Sequence, residues 1–301
     1  MADAPSPHAV VALPFVAPLL PGLSQIIDDY DVILCDVWGV IHNGVAAFPA
    51  ACAALEHARG HGVSVFLVSN APRPNAFVAS MLDGMGVSRD AYDGIVTSGD
   101  VTRAVLAGRA GARVFHLGPD RDLGTYDGLG VTVSDLDGAD LVVCTGLFND
   151  DVETPEDYRA MLTAMQARGL TLVCANPDLV VERGDRLIYC AGALAQLYEE
   201  LGGDAVYCGK PHPPVYVEAM RRVLGLRNEV PPGARVLAIG DALRTDIIGA
   251  TQAGFHSLFI SSGIHAVELK SEHGAAPDMA AVAQLFAGPA RPRAVMPRLS
   301  W

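Results

Sequence analysis

The sequence predicts an α/β fold, a doubly wound parallel sheet with a second α/β unit inserted into it. Three observations carry that prediction. Short continuous apolar runs, the pattern of strands buried on both faces, alternate with segments of helical period, as in parallel βαβ units. Four of these runs end in polar groups, at Asp36, Ser69-Asn70, Lys210 and Asp241, and the strand ends of a parallel sheet share one edge. The middle of the chain then repeats the same grammar with different residues, which points to a second unit.

Residues 1–25 read as a flexible leader. It is apolar over 9–20 but interrupted by prolines, and no Lys or Arg precedes Arg59, so it suits neither a signal peptide nor a membrane helix. The first strand lies within 33–40, where an apolar run ends in Asp36 and the chain bends at Gly39. Phe48-Pro49 opens a helix to about Arg59, because a proline at a helix start loses only an N–H that has no partner anyway. Residues 63–68 form the second strand, closed by Ser69-Asn70. Phe77, Val78, Met81, Leu82 and Met85 recur at helical spacing before Gly84 and Gly86 stop that helix, and 95–99 is a third strand.

These elements open a core assigned to 26–100 and 204–287. The insert, 101–203, takes strands at 114–118, 141–146 and 172–176, and a helix over 155–168 with acidic residues in its first turn, where the macrodipole favours them. The core resumes with a strand at 205–208 ending in Gly209-Lys210-Pro211, then a helix over 214–224. A strand at 236–239 ends in Gly240-Asp241, with Asp246 where the next helix begins. A last strand at 257–260 and a closing helix over 277–286 precede a mobile tail, 288–301.

Composition narrows the function. The 21 Lys+Arg against 34 Asp+Glu give a formal charge of −13, which disfavours nucleic acid and anionic membrane as partners. An anionic substrate must then be drawn in by a local cation, a metal or backbone amides. The six cysteines form no Cys-x-x-Cys pair and sit mostly in apolar runs, as buried thiols of a cytoplasmic protein do. P-loop, dinucleotide and zinc-protease motifs are missing from the sequence.

Converging strand ends would gather two carboxylates, Asp36 and Asp241, which suit a hard cation such as Mg²⁺. Lys210 offers charge to an anion and Ser69 a hydroxyl, a set suited to phosphoryl transfer with Asp36 as nucleophile. Each residue alone has an ordinary alternative: a turn for Asp36 and Ser69, a solvated lysine for Lys210, a helix cap for Asp246.

In this order the motifs Asp36-Val37-Trp38-Gly39-Val40, Ser69-Asn70, Gly209-Lys210-Pro211 and Gly240-Asp241 with Thr245-Asp246 resemble the haloacid dehalogenase superfamily. Asn176-Pro177-Asp178 and the large insert resemble its class IIA subgroup of sugar-phosphate, pyridoxal phosphate and phosphoglycolate phosphatases. The resemblance implies a Rossmann-like core with an inserted cap, and a small phosphorylated metabolite as substrate; it leaves a homodimer open. It makes Asp36 the nucleophile and assigns Mg²⁺ to Asp36, the Trp38 carbonyl and Asp241, supported by Asp246. Phosphate binding falls to Gly39, Ser69, Asn70 and Lys210, while Asn176 and Asp178 either face the site or only shape a turn.

One departure stands out. The family's phosphatases carry a second Asp two residues after the nucleophile as general acid and base, and this chain has Trp38 there. An indole N–H only donates. Either His42 or a group from the insert substitutes, the hydrolase is slow, or the protein is a metal-independent dehalogenase-like hydrolase or a catalytically reduced binder of phospho-ligands.

Overall fold

The structure, a computed structural model, describes residues 17–183 and 186–301. Its strands, in chain order, are β1 (Val32–Cys35), β2 (Ser64–Ser69), β3 (Gly94–Thr97), β4 (Arg113–Leu117), β5 (Thr132–Ser134), β6 (Leu141–Cys144) and β7 (Thr171–Cys174). They continue with β8 (Val180–Arg183), β9 (Arg186–Tyr189), β10 (Asp204–Tyr207), β11 (Val236–Gly240), β12 (His256–Ile260) and β13 (Ala294–Met296). Six of them form a wholly parallel sheet in the order β13-β12-β11-β1-β2-β3, and five form a second parallel sheet, β10-β7-β6-β4-β5. The predicted α/β fold with a doubly wound parallel sheet is what the chain adopts.

The apolar runs are continuous because the first sheet is covered on both faces. Along β1, Ile33 and Cys35 join one core cluster, packed under the helix Pro49–Gly60, while Val32 and Leu34 join another under the helix Pro213–Arg227. Fully burying each such side chain contributes roughly 1.5–3 kcal/mol. The second cluster also takes in Val114, Leu141, Val143 and Val173, so the two sheets are joined through apolar packing.

The strand order reverses between β1 and β11, parallel neighbours that pair from Val32↔Val236 to Cys35↔Ile239. A crevice opens at that switch point, beyond the carboxyl ends of the strands. Asp36 and Asp241 follow directly on these two neighbouring strands.

Several expectations need correction. The strand expected to resume the core at 204 is β10, which pairs with β7 in the second sheet. The tail 288–301 is packed, with β13 buried on the edge of the first sheet and Leu299 buried. Of the leader, residues 1–16 lie outside the described residues, and the remainder is held: Ala17 and Leu23 are buried and Leu20 N–H donates to Val295 O at 2.9 Å. A short edge strand such as β13 borrows its stability from a partner far off in sequence, so no local signal announces it. The antiparallel β8–β9 hairpin, absent from the sequence reading, covers the crevice from the insert side. All six cysteines are buried and unpaired.

Candidate active site

Lys210 is the centre of the crevice. Its Nζ donates to Asp36 Oδ1 at 2.6 Å and to Asp246 Oδ1 at 2.7 Å, although the lysine is almost wholly buried. Carboxylate oxygens of Asp36, Asp241 and Asp246 all lie within 4.8 Å of one another. Three carboxylates against one ammonium leave an excess of two negative charges (3 − 1) in a buried site. The excess is visible in their acidity. Burial, then the Asp246 charge, raises Asp36 to about 7 despite the opposing pull of Lys210, and burial followed by Asp36 and Asp246 raises Asp241 well above the usual range. Burial alone would depress Lys210, but Asp246 and Asp36 outweigh it and keep it protonated. An all-oxygen, over-charged donor set of this kind fits a hard divalent cation.

Local chain geometry fixes each group. Asp246 uses both oxygens, accepting from Lys210 Nζ and, at 3.1 Å, from the Ala242 N–H, so it braces the cluster from behind. Asp241 Oδ2 accepts the Ile264 N–H at 2.9 Å. Gly39 has φ +83°, and a Cβ there would stand 2.1 Å from Asp241 Oδ2. Gly39→Ala is therefore expected to cost about 1–3 kcal/mol through backbone strain and displacement of Asp241. An unchanged urea midpoint would mean that Asp241 moves aside freely.

Ser69 is buried at the end of β2, and its Oγ accepts the Ala71 N–H at 3.2 Å, which leaves its hydroxyl hydrogen available to an anion. Asn70 departs from expectation. Its Oδ1 accepts the Lys210 N–H at 2.7 Å, while Nδ2 donates to Lys210 O at 3.1 Å and to Asp178 Oδ1 at 2.9 Å. The amide is fully occupied, so its side chain braces Lys210 and Asp178 and is not a free phosphate donor. Asp178 does face the crevice, and burial raises it to about 6. Asn176 Oδ1 accepts the Asp178 N–H at 3.1 Å and so shapes the turn that presents it.

The crevice holds a cavity of about 270 Å³, walled on one side by Asp36, Ser69 and Lys210 and on the other by Asp178, Val181 and Ile188 of the insert. Trp38 and His42 also line it, with ring centroids 5.0 Å apart and edge to face. His42 is fully buried, its Nδ1 accepts the Gly44 N–H at 2.8 Å, and burial lowers it to about 4. A neutral ring with Nδ1 so occupied carries its proton on Nε2, which makes it a donor and a poor acid–base group near neutral pH. The sequence had offered His42 for that role, and the geometry argues against it. The sequence reading passed over Gly263-Ile264, although its signal was the same as elsewhere: polar and glycine residues closing an apolar strand, here β12.

Comparison with known proteins adds to this geometry. A family model described as haloacid dehalogenase-like hydrolase matches residues 33–132, and a second, HAD-hydrolase-like model matches 207–287. The crystal structure of a haloacid dehalogenase-like family hydrolase from Brucella suis is 47% identical, with a TM-score of 0.83 over 93% of this chain and 100% of that one. The ribonucleotide monophosphatase NagD of Escherichia coli is 25% identical over 240 residues, 78% of this chain and 89% of that one. A glycerol phosphate phosphatase from Mycobacterium tuberculosis, solved in complex with magnesium, is 26% identical with a TM-score of 0.65 over 90% of this chain and 75% of that one. Among the described residues, no helix is long and apolar enough to cross a membrane.

Proposed function

This chain belongs to the haloacid dehalogenase-like hydrolases and is an enzyme, and from that premise we propose that it hydrolyses a small phosphate ester through an aspartyl-phosphate on Asp36. The observation that carries the reading is the cluster at the switch point, where Lys210 joins Asp36 to Asp246 beside Asp241. An Asp36 oxygen attacks phosphorus, the bond to the leaving oxygen breaks, and water then cleaves the acyl phosphate. Lys210 and the Ser69 hydroxyl receive the charge on the phosphoryl oxygens. Mg²⁺, held by Asp36, Asp241 and the Trp38 carbonyl with Asp246 behind them, would neutralise charge on the transferring group. The relatives named as phosphatases of nucleotides and of glycerol phosphate support a small phosphorylated metabolite as substrate. The insert, whose Asp178, Val181, Ile188 and Tyr189 wall the cavity, acts as a cap that selects it.

The test is phosphate release from a panel of phosphorylated metabolites with Mg²⁺ and with a chelator. Release that requires Mg²⁺ is expected, together with a beryllofluoride adduct at Asp36. Turnover unaffected by chelation would favour the dehalogenase-like alternative, against which Asp241 and Asp246 already weigh. A second reading, a binder of phospho-ligands with reduced catalysis, is favoured by one observation, Trp38 in place of a proton-transferring residue. Metal and ligand binding without turnover on any ester would select it.

A further inference from the structure

A group that meets the leaving oxygen decides which esters can react, and neither Trp38 nor His42, which line the cavity with Asp36, can supply a proton. Trp38 has only an indole N–H, and its Nε1 is buried with no partner among the described residues. His42 Nε2 is likewise buried and unpartnered, and because Nδ1 accepts the Gly44 N–H at 2.8 Å, Nε2 carries the ring proton. The pair is held in place: a Cβ at Gly44 would stand 2.5 Å from the indole ring. Two further carboxylates lining the cavity are committed. Asp122 pairs with Arg73 at 2.5 Å, and Asp150 pairs with Arg183 at 2.9 Å and with Arg121. Asp178 gives Oδ1 to the Asn70 amide, and as the remaining carboxyl of the insert wall it is the competing proton donor that the test below must exclude.

We propose that this enzyme is selective for phosphate esters whose leaving group departs as a stable anion, an aryl, enol or acyl oxyanion, and that hydrolysis of phospho-Asp36 limits its turnover. The inference rests on the phosphatase reading above. In the first step an Asp36 oxygen bonds to phosphorus and the bond to the leaving oxygen breaks, its electron pair going to that oxygen. The Trp38 and His42 N–H groups hydrogen-bond the departing anion without protonating it, and bulk water supplies its proton later. Alkoxides are too basic to leave this way, so alkyl phosphates react slowly. In the second step water attacks phosphorus, the bond to Asp36 breaks, and the proton passes to the released phosphate, since neither Trp38 nor His42 can take it. Val181, Ile188, Phe77 and Met81, all lining the cavity, give a planar apolar leaving group a matching wall.

The first arm of the test uses the wild type alone. Wild-type kcat/KM is measured with Mg²⁺ on a series of substituted phenyl phosphates and on glycerol phosphate. A fall on the order of 10²–10⁴-fold from 4-nitrophenyl phosphate to glycerol phosphate is expected, with a burst of nitrophenol approaching one per Asp36. Trp38→Asp should flatten the series by raising the alkyl rate. A flat series in the wild type, or steady release without a burst on the nitrophenyl ester, overturns the inference. If a flat series becomes steep in Asp178→Asn, Asp178 is the missing acid. Failure of the phosphatase reading is distinct: no ester turns over and no beryllofluoride adduct forms.

Discussion

Asp36→Asn is expected to lower phosphate release by on the order of 10⁴–10⁶-fold while leaving the metal-free fold at least as stable as the wild type. The two halves of this result separate a nucleophile from a structural acid. An amide is nearly isosteric with the carboxylate but does not attack phosphorus, so no covalent intermediate forms. Lys210 keeps its charged partner Asp246 at 2.7 Å and can still meet a neutral acceptor at position 36. Stability follows from the sign of the acidity shift. A carboxylate with a folded pKa of about 7, against an ordinary 3.8, destabilises the fold wherever it is ionised, fully above about pH 7 and not at all below about 3.8. Removing it should therefore raise the urea midpoint of the chelator-treated protein above pH 7 and leave it unchanged in acid. Retained turnover would place the nucleophile elsewhere and leave Asp36 a cation ligand only.

The parts of the site legible in the sequence were those written as strand ends. A continuous apolar run stopped by Asp36, Ser69 or Asp241 is a local signal, and a parallel sheet converts local signals into one crevice without further information. What stayed hidden depends on pairings across long separations. Asn70 and Lys210 lie 140 residues apart, and nothing in Ser69-Asn70 itself says that the amide will be consumed by the Lys210 main chain. β10 was misplaced for the opposite reason: its nearness to Lys210 in sequence suggested the core, whereas its alternating exposure suits the edge of the second sheet. His42 failed as an acid–base candidate because the Gly44 N–H and complete burial, neither readable from its type, fix its tautomer.

Lys210→Met should unfold more readily than the wild type by about 3–5 kcal/mol near neutral pH, the cost of stripping the partner from buried charges. Methionine fills a similar volume, so little of the loss would come from packing. Without the ammonium, Asp36 and Asp246 lose the counter-charge they share, while Asp241 still repels Asp36. The deficit should accordingly depend on pH in a fixed direction. It is greatest where Asp36 is ionised and shrinks as pH falls below about 3.8, where the Asp36 carboxyl is protonated whether folded or not. A divalent cation that shares this cluster should recover part of the loss above about pH 7 by supplying the missing positive charge. Urea unfolding of both proteins across pH, with chelator and with Mg²⁺, measures all three effects. A deficit equal at every pH and indifferent to Mg²⁺ would mean that Lys210 acts through packing, and the charge cluster would then not be what organises this crevice.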